Sequence, residues 1–171
     1  MHRILAEPLE VAAFAPYGAV VSADRADVAS HAANQGTAQR RDFLVELANR
    51  RPAARLNVAS FRCAPWRGSC LRLTSLEKHP ASSQLFVPMN ARRYLVVVAL
   101  GDEAPALHTL RAFVAPSTAA VAYHPGIWHH PMIALDQAID FTCLVYEDGG
   151  AADCVVAPLV SPLEVVLDES V

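Results

Sequence analysis

The stretch Leu71-Arg72-Leu73-Thr74-Ser75-Leu76 broadly alternates apolar and polar side chains. This alternation is typical of a β-strand with one face in a core and the other in water, because successive side chains of a strand point to opposite faces. The stretch Leu56-Asn57-Val58-Ala59-Ser60-Phe61 follows the same pattern. The two stretches predict a fold built from amphipathic strands.

The chain from residue 42 onward is divided by proline and glycine into short segments rich in β-branched and aromatic residues, which predict strands. The predicted strands are Asp42–Leu47, Arg55–Arg62, Cys70–Leu76, Ser83–Pro88, Arg93–Leu100, Thr109–Val114, Ala119–Tyr123, Met132–Leu135, Ile139–Tyr146 and Asp153–Ala157. Short strands without crossover helices are typical of a sandwich, jelly roll or small barrel. We therefore expect a mainly β fold with one or a few short helices.

The remaining parts of the chain are less regular. Residues 8–15 predict a helix that ends at the turn Pro16-Tyr17-Gly18, and the first strand begins in residues 19–22. Residues 23–41 show no clear period and are interpreted as a long functional loop or arm, and residues 158–171 as a last strand or an arm.

Composition narrows the class of protein. The 171 residues, with a net charge of -3 and 53% hydrophobic residues, predict one globular domain spanning residues 1–171. No basic run exceeds two residues, which argues against a nucleic-acid partner or an anionic membrane. We find no export signal or membrane-spanning stretch, and we interpret the four cysteines as reduced residues of a cytoplasmic protein.

The first group of chemically active side chains contains Glu77, His79 and Gln84. If the strand that begins at Cys70 extends to His79, Glu77 and His79 share one face. A carboxylate beside an imidazole can bind a divalent metal or move protons. The alternative is the solvated end of a surface strand.

The second group, Tyr123-His124-Pro125-Gly126-Ile127-Trp128-His129-His130-Pro131, holds three of the seven histidines. It lies in a proline- and glycine-containing turn between two predicted strands. Such a turn allows several side chains to converge at the mouth of a barrel. A structural role for the histidines and for Trp128 is the alternative.

The spacing of these groups resembles the two-part signature of the cupins, small double-stranded β-helix (jelly-roll) barrels. The resemblance implies one metal site at Glu77, His79, Gln84 and His129. Glu77 replaces a histidine of the cupin pattern, and the neutral amide of Gln84 replaces a glutamate. Such a set would hold a first-row divalent ion, of the nickel type or another, less tightly than the full cupin set. No organic cofactor is implied.

A closer resemblance, to the ureidoglycolate lyase family, covers nearly the whole chain. The residues that carry it are Leu76 through Met89, Val96-Val97-Val98-Ala99, Leu110-Arg111-Ala112-Phe113, Tyr123 through Pro131, Asp140-Phe141, Pro16-Tyr17-Gly18 and Asn34-Gln35-Gly36 with Arg40. Lys78 stands where this family frequently has an arginine. The resemblance implies a cytoplasmic, homodimeric cupin-type enzyme of allantoin catabolism that converts ureidoglycolate to glyoxylate and urea.

This reaction requires a base at the substrate hydroxyl, an acid at the departing urea nitrogen and a clamp for the carboxylate. We expect His129, or Glu77 acting through a bound metal, at the hydroxyl, and His124 or His130 near the leaving urea. The candidates for the clamp are Lys78, Arg72 and Arg40. Asn34 and Gln84 are candidates for binding the ureido end, and Trp128 is a further candidate substrate contact. The arm containing Asn34 would complete the pocket if it crosses to a second subunit.

Other functions stay open from the sequence. The ligand positions alone would also permit another metal-dependent cupin enzyme, such as a small-acid dioxygenase, isomerase or dehydratase. A non-catalytic small-molecule-binding cupin is a third class. An amidohydrolase acting on the same substrate would release ammonia and carbon dioxide instead of urea.

Overall fold

The computed structural model describes residues 3–90 and 92–167, and most of its regular structure is β. The helical elements are short: α1 (Val11–Phe14) and two 3-10 turns, Asn34–Gly36 and Leu107–Thr109. The strands are β1 (Arg3–Leu5), β2 (Glu7–Pro8), β3 (Gly18–Ser22), β4 (His31–Ala33), β5 (Ala38–Arg40), β6 (Arg55–Cys63), β7 (Cys70–Lys78), β8 (Gln84–Pro88), β9 (Tyr94–Ala99), β10 (Arg111–Ala115), β11 (Ala119–Tyr123), β12 (Trp128–His129), β13 (Ile133–Ala134), β14 (Ile139–Glu147) and β15 (Val155–Val166). The mainly β class with short helices is confirmed.

Two large sheets form the body of the fold. The first has the order β1-β15-β7-β12-β9-β10-β2, with β13 also paired to β9, and the second has the order β3-β11-β8-β14-β6. β1 also contacts β10, so the first sheet curls into a nearly closed barrel. Curling of this kind protects strand edges that would otherwise be open to another chain. The arrangement is that of a cupin-type jelly roll.

The central strand β9 contributes to two cores because successive side chains face opposite ways. Val96 and Val98 pack between the two sheets with Phe113 and Phe141. Leu95, on the other face, packs inside the curl of the first sheet with residues such as Leu73 and Trp128. Burying one large apolar side chain stabilises the fold by about 1.5–3 kcal/mol. Both faces of β9 therefore anchor the strands that carry the site.

Several predicted strands agree closely with the structure, and one is wrong. Residues 119–123 form β11 within its predicted bounds, and residues 55–62 lie within β6. The predicted strand Asp42–Leu47 is absent, because no neighbouring strand pairs with it. Within it, Phe43 is fully exposed and has a left-handed φ of 55°, a conformation that regular strands do not adopt.

Three other segments differ in detail. The helix predicted at residues 8–15 is only α1, because Glu7 and Pro8 pair with β10 as strand β2. The arm at residues 23–41 contains the exposed hairpin β4–β5. The segments 153–157 and 158–171 largely merge into the single long strand β15, and residues 168–171 lie outside the described part. Among residues 3–90 and 92–167, no helix is long and apolar enough to cross a membrane.

Candidate active site

The site is built where β7 and β12 pair. Glu77 stands opposite His129 in the register of these antiparallel strands, and His79 follows directly after β7. The spacing of two places Glu77 and His79 on one face, as the sequence predicted. Nε2 of His129 lies 3.6 Å from Oε1 of Glu77. Pairing of two strands that are distant in sequence therefore brings the two histidine-containing groups together.

The side chains of Glu77, His79 and His129 could hold one metal ion. One ligand atom from each lies within 4.8 Å of the others. His79 and His129 are 9% and 2% exposed, and Nδ1 of His79 and Nε2 of His129 have no hydrogen-bond partner in the structure. Buried imidazole nitrogens without a partner are costly. A divalent ion with nitrogen and oxygen ligands would satisfy this donor set.

His129 is held in one orientation by its neighbours. Its Nδ1 lies 3.0 Å from the carbonyl oxygen of Ile127, which can only accept a hydrogen bond, so Nδ1 carries the proton. The other ring nitrogen, Nε2, faces Glu77 and is the atom that can ligate an ion or exchange a proton. The ring stacks on Tyr123 at 4.4 Å and on His79 at 5.7 Å between centroids. The contact with Ile127 and the stacking fix the plane of the ring and point Nε2 towards Glu77.

The protonation states suit metal binding or proton transfer. Contact with the His129 imidazole lowers the pKa of Glu77, and this outweighs the opposing effect of burial. Burial lowers the pKa of His79, and the neighbouring His129 lowers it further. Near neutral pH the structure therefore favours an ionised carboxylate beside a neutral His79 imidazole, the forms that ligate metals.

Glu77 and His79 open into a pocket of about 240 Å³ between the two sheets. Its ten lining residues in the described part of the chain are Asn57, Ala59, Phe61, Glu77, His79, Gln84, Cys143, Val145, Glu147 and Cys154. They include two carboxylates but no lysine or arginine. Two larger cavities, of about 560 and 760 Å³, have neither histidine nor cysteine among the lining residues described. The Glu77 pocket therefore has the side chains best suited to catalysis.

Lys78 and Trp128 lie away from this pocket. Lys78 points to the opposite face of β7 from Glu77, its ammonium 4.6 Å from the centre of the Trp128 ring. Its Nζ donates a hydrogen bond to the backbone carbonyl of Asp102. Trp128 is fully buried within the core of the curled sheet. The structure gives both residues a packing environment and does not bring them to the cluster.

The other histidines and Arg72 do not line the pocket either. His124 is exposed. His130 is half-buried, its Nδ1 lies 2.8 Å from the carbonyl oxygen of Pro131, and burial lowers its pKa. Arg72 is exposed near the far end of β7.

Asn34 and Arg40 are in the hairpin β4–β5, against a different cavity. That cavity is the 560 Å³ space bordered by the hairpin and by β3, β8 and β11. Arg40 pairs with Asp42 at 2.6 Å. Within one chain, the hairpin does not supply these residues to the Glu77 pocket.

The pocket residues that the sequence analysis missed include Asn57, Glu147 and Cys154. Asn57 donates a hydrogen bond to Oε1 of Glu147, and Sγ of Cys154 lies 4.0 Å from Oε2 of Glu77. The alternation of apolar and polar residues in β6 predicted that Asn57 faces water, whereas Asn57 lines the pocket and Leu56 and Val58 are exposed. The pairing of β6 with β14, which creates the contact, is long-range and leaves no local signal.

A mainly β, cupin-type barrel with a half-buried glutamate and two buried histidines beside a small pocket defines a cupin-type enzyme of small-molecule metabolism. Comparison with known proteins makes this specific. The chain belongs to the ureidoglycolate lyase family, whose family model matches residues 1–166. As in that family, it is a lyase.

The relatives cover most of the chain. It is 34% identical over 154 residues to a ureidoglycolate lyase from Pseudomonas savastanoi pv. phaseolicola, covering 90% of this chain and 88% of the relative. It is 36% identical over 150 residues to the Salmonella enteritidis PT4 ureidoglycolate lyase, covering 86% and 88%. Among solved structures, a dTDP-4-dehydrorhamnose 3,5-epimerase from Bacillus anthracis matches with a TM-score of 0.45 and 14% identity, covering 89% of this chain and 96% of that chain.

Proposed function

We propose that this chain is a ureidoglycolate lyase of allantoin catabolism, acting as a cytoplasmic, single-domain enzyme. It cleaves the bond between the hydroxyl-bearing carbon and the urea nitrogen of ureidoglycolate, giving glyoxylate and urea. The observation that carries the proposal is the cluster of Glu77, His79 and His129, of which Glu77 and His79 line a pocket of about 240 Å³. Family membership supports the substrate.

The charge of the pocket supports a metal ion at this cluster. Ureidoglycolate carries a carboxylate, and the described lining residues contribute two more carboxylates and no permanent cation. Binding a third negative charge there without a cation is unfavourable. We propose that Glu77, His79 and His129 hold a first-row divalent ion. When bound, such an ion supplies positive charge for the substrate carboxylate and lowers the pKa of the substrate hydroxyl.

The chain's own residues move the proton. With the three groups acting as ligands, we assign removal of the hydroxyl proton to Oε2 of Glu77, the oxygen turned away from His129. Without an ion, Nε2 of His129 has the free lone pair for the same step, and Glu77 stabilises the resulting imidazolium. The two assignments exclude each other, because an Nε2 lone pair that ligates an ion cannot accept a proton.

Carbon–nitrogen cleavage produces the aldehyde of glyoxylate and leaves the urea nitrogen in need of one proton. The hydroxyl has just released one proton, so the reaction has no net proton change. We propose that the group that takes the proton returns it to the urea nitrogen. The exposed His124 and the half-buried His130 do not line the pocket, so this assignment replaces them as the acid.

Gln84 is assigned to the substrate, although the cupin resemblance also places it among the ligands. An amide oxygen is a weaker ligand for first-row ions than a carboxylate or an imidazole. Gln84 is buried in the pocket wall, and its Oε1 has no partner. It can accept a hydrogen bond from the ureido end.

We propose that the enzyme is a homodimer in which the hairpin β4–β5 crosses to a second subunit. The hairpin is exposed, and it carries Asn34 and Arg40 away from the Glu77 pocket of its own chain. In a second subunit's pocket, the Arg40 guanidinium would supply the missing permanent cation.

A product assay tests the proposed function. The purified protein is incubated with ureidoglycolate, and urea, glyoxylate and ammonia are measured together. Equal amounts of urea and glyoxylate support the lyase. Ammonia without urea would indicate the amidohydrolase reaction, and the absence of turnover would contradict the assignment.

A further inference from the structure

The pocket has a second polar group besides the Glu77 cluster. Glu147 ends β14 and lines the pocket, and Nδ2 of Asn57 donates a hydrogen bond to its Oε1. Val145 of β14 pairs with Asn57 of β6 on one side and with Gln84 of β8 on the other. Alternation places Glu147 on the same face as Val145. Three neighbouring strands thus bring Asn57, Gln84 and Glu147 to one wall.

This wall offers hydrogen-bond acceptors that the protein does not use. Gln84 is 5% exposed, and its Oε1 has no hydrogen-bond partner, while its side chain lies against the sulfur of Cys143. A buried acceptor without a partner costs free energy until a ligand donates to it. Because Asn57 engages one oxygen of Glu147, the carboxylate is held in place with accepting capacity to spare.

The chemistry of this wall fits a ureido group. A ureido group presents N–H donors on both nitrogens, and two of them lie side by side and can meet one carboxylate in two parallel hydrogen bonds. We propose that Glu147, together with Gln84, recognises the ureido end of the substrate, and that Asn57 is a positioning residue for Glu147. The proposal rests on the proposed function and defines the orientation of the substrate in the pocket. The carboxylate and hydroxyl lie at Glu77, His79 and His129, and the leaving urea lies at Glu147.

Two small ligands allow binding at the two ends of the pocket to be tested separately. N-carbamoylglycine has the ureido group and the carboxylate but no hydroxyl to deprotonate. Glycolate has the hydroxyl and the carboxylate but no ureido group. Binding of each to the intact protein is measured by isothermal titration calorimetry, which requires no turnover.

The isosteric variant Glu147→Gln should bind N-carbamoylglycine about tenfold more weakly and leave glycolate binding within about twofold. Asn57→Ala should weaken N-carbamoylglycine binding in the same direction by about threefold, because Glu147 loses its fixed orientation. Glu147→Asp, which keeps the charge on a shorter side chain, should fall between wild type and Glu147→Gln. Glu164→Gln is the matched control, since Glu164 pairs with Arg3 on β1 and is not among the pocket residues.

Parallel weakening of both ligands in Glu147→Gln would overturn the proposal, because a general structural defect does not distinguish them. Unchanged N-carbamoylglycine binding, or no binding of it by the wild-type protein, would also overturn it. Unchanged binding in Asn57→Ala would remove Asn57 from its positioning role. Urea release by the wild-type protein is assayed separately, so the failure of this inference and the failure of the proposed function give different results.

Discussion

Nε2 of His129 lies 3.6 Å from Oε1 of Glu77, and the two residues are register partners on the antiparallel strands β12 and β7. The distance is set by backbone pairing and by the stacking of His129 on Tyr123. A half-buried carboxylate and a buried imidazole nitrogen are therefore held together before any substrate binds. Preorganisation of this kind removes part of the cost of assembling a catalytic site.

Replacing His129 should abolish most of the activity. His129→Ala removes either a metal ligand or the proton acceptor, and we expect the kcat for urea release to fall by about 10²–10⁴-fold. His108→Ala, at an exposed histidine, is the matched control. A His129→Ala protein that remains folded and keeps more than a tenth of the wild-type rate would contradict the assignment.

Replacing Lys78 should reduce stability more than activity. Lys78→Met removes the cation that lies over Trp128 and the donor to the carbonyl of Asp102. We expect the free energy of unfolding to fall by about 1–2 kcal/mol. The kcat/KM for ureidoglycolate should stay within about threefold of wild type, as measured beside urea denaturation curves. A large loss of kcat in a stable variant would instead place Lys78 at the substrate.

Tyr123 should contribute to the enzyme through its aromatic ring and not through its hydroxyl. The ring stacks on His129, whereas the hydroxyl contacts only the sulfur of Met132 at 3.4 Å among the hydrogen bonds of the described residues. Tyr123→Phe should therefore keep the rate of urea release within about twofold. Tyr123→Ala should lower the unfolding free energy by about 3–5 kcal/mol. Equal loss of activity in both variants would show that the hydroxyl is needed.

Stability should depend on pH through Asp153. Burial acts to raise the pKa of this carboxyl, but hydrogen bonds from Arg51 and from the backbone N–H groups of Asp148 and Gly149 outweigh it, so the pKa is lowered. A carboxyl with a lowered folded-state pKa stabilises the fold above its unfolded pKa of about 3.9 and loses this contribution as the pH falls through the folded value.

The test compares the unfolding free energy of wild type and Asp153→Asn across pH. Wild type should be the more stable protein at pH 6–7, and the difference should shrink below about pH 4. A difference that is constant from pH 3 to pH 7 would show that the charge of Asp153 does not contribute.

The fold could be predicted from the sequence where strands have their own local pattern. Residues 119–123 and 55–62 combine strand-forming residues with flanking turns, and both form strands. Residues 42–47 have similar composition but no partner strand, and Glu7 and Pro8 join β10 although they resemble the start of a helix. Pairing between distant segments determines whether these residues form strands. Residue propensity alone does not predict such pairing.

The site, like the fold, could be predicted only where a local sequence pattern determines the position of a side chain. The spacing of two between Glu77 and His79 placed them on one face, and the same rule directs Lys78 to the other face. Glu147 escaped prediction because its place depends on β14 lying between β6 and β8. The proximity of His129 to Glu77 followed from the resemblance to the two-part cupin signature and not from strand alternation.

The central claim is that Glu77, His79 and His129 form one divalent-ion site that the lyase reaction needs. The most direct measurement follows ion content and urea release on the same preparation as purified, after exhaustive chelation, and after adding back a first-row divalent ion such as Ni²⁺. We predict that chelation removes about one ion per chain and most of the activity, and that re-addition restores both in wild type but neither in His79→Ala. Full urea release from ion-free protein would contradict it.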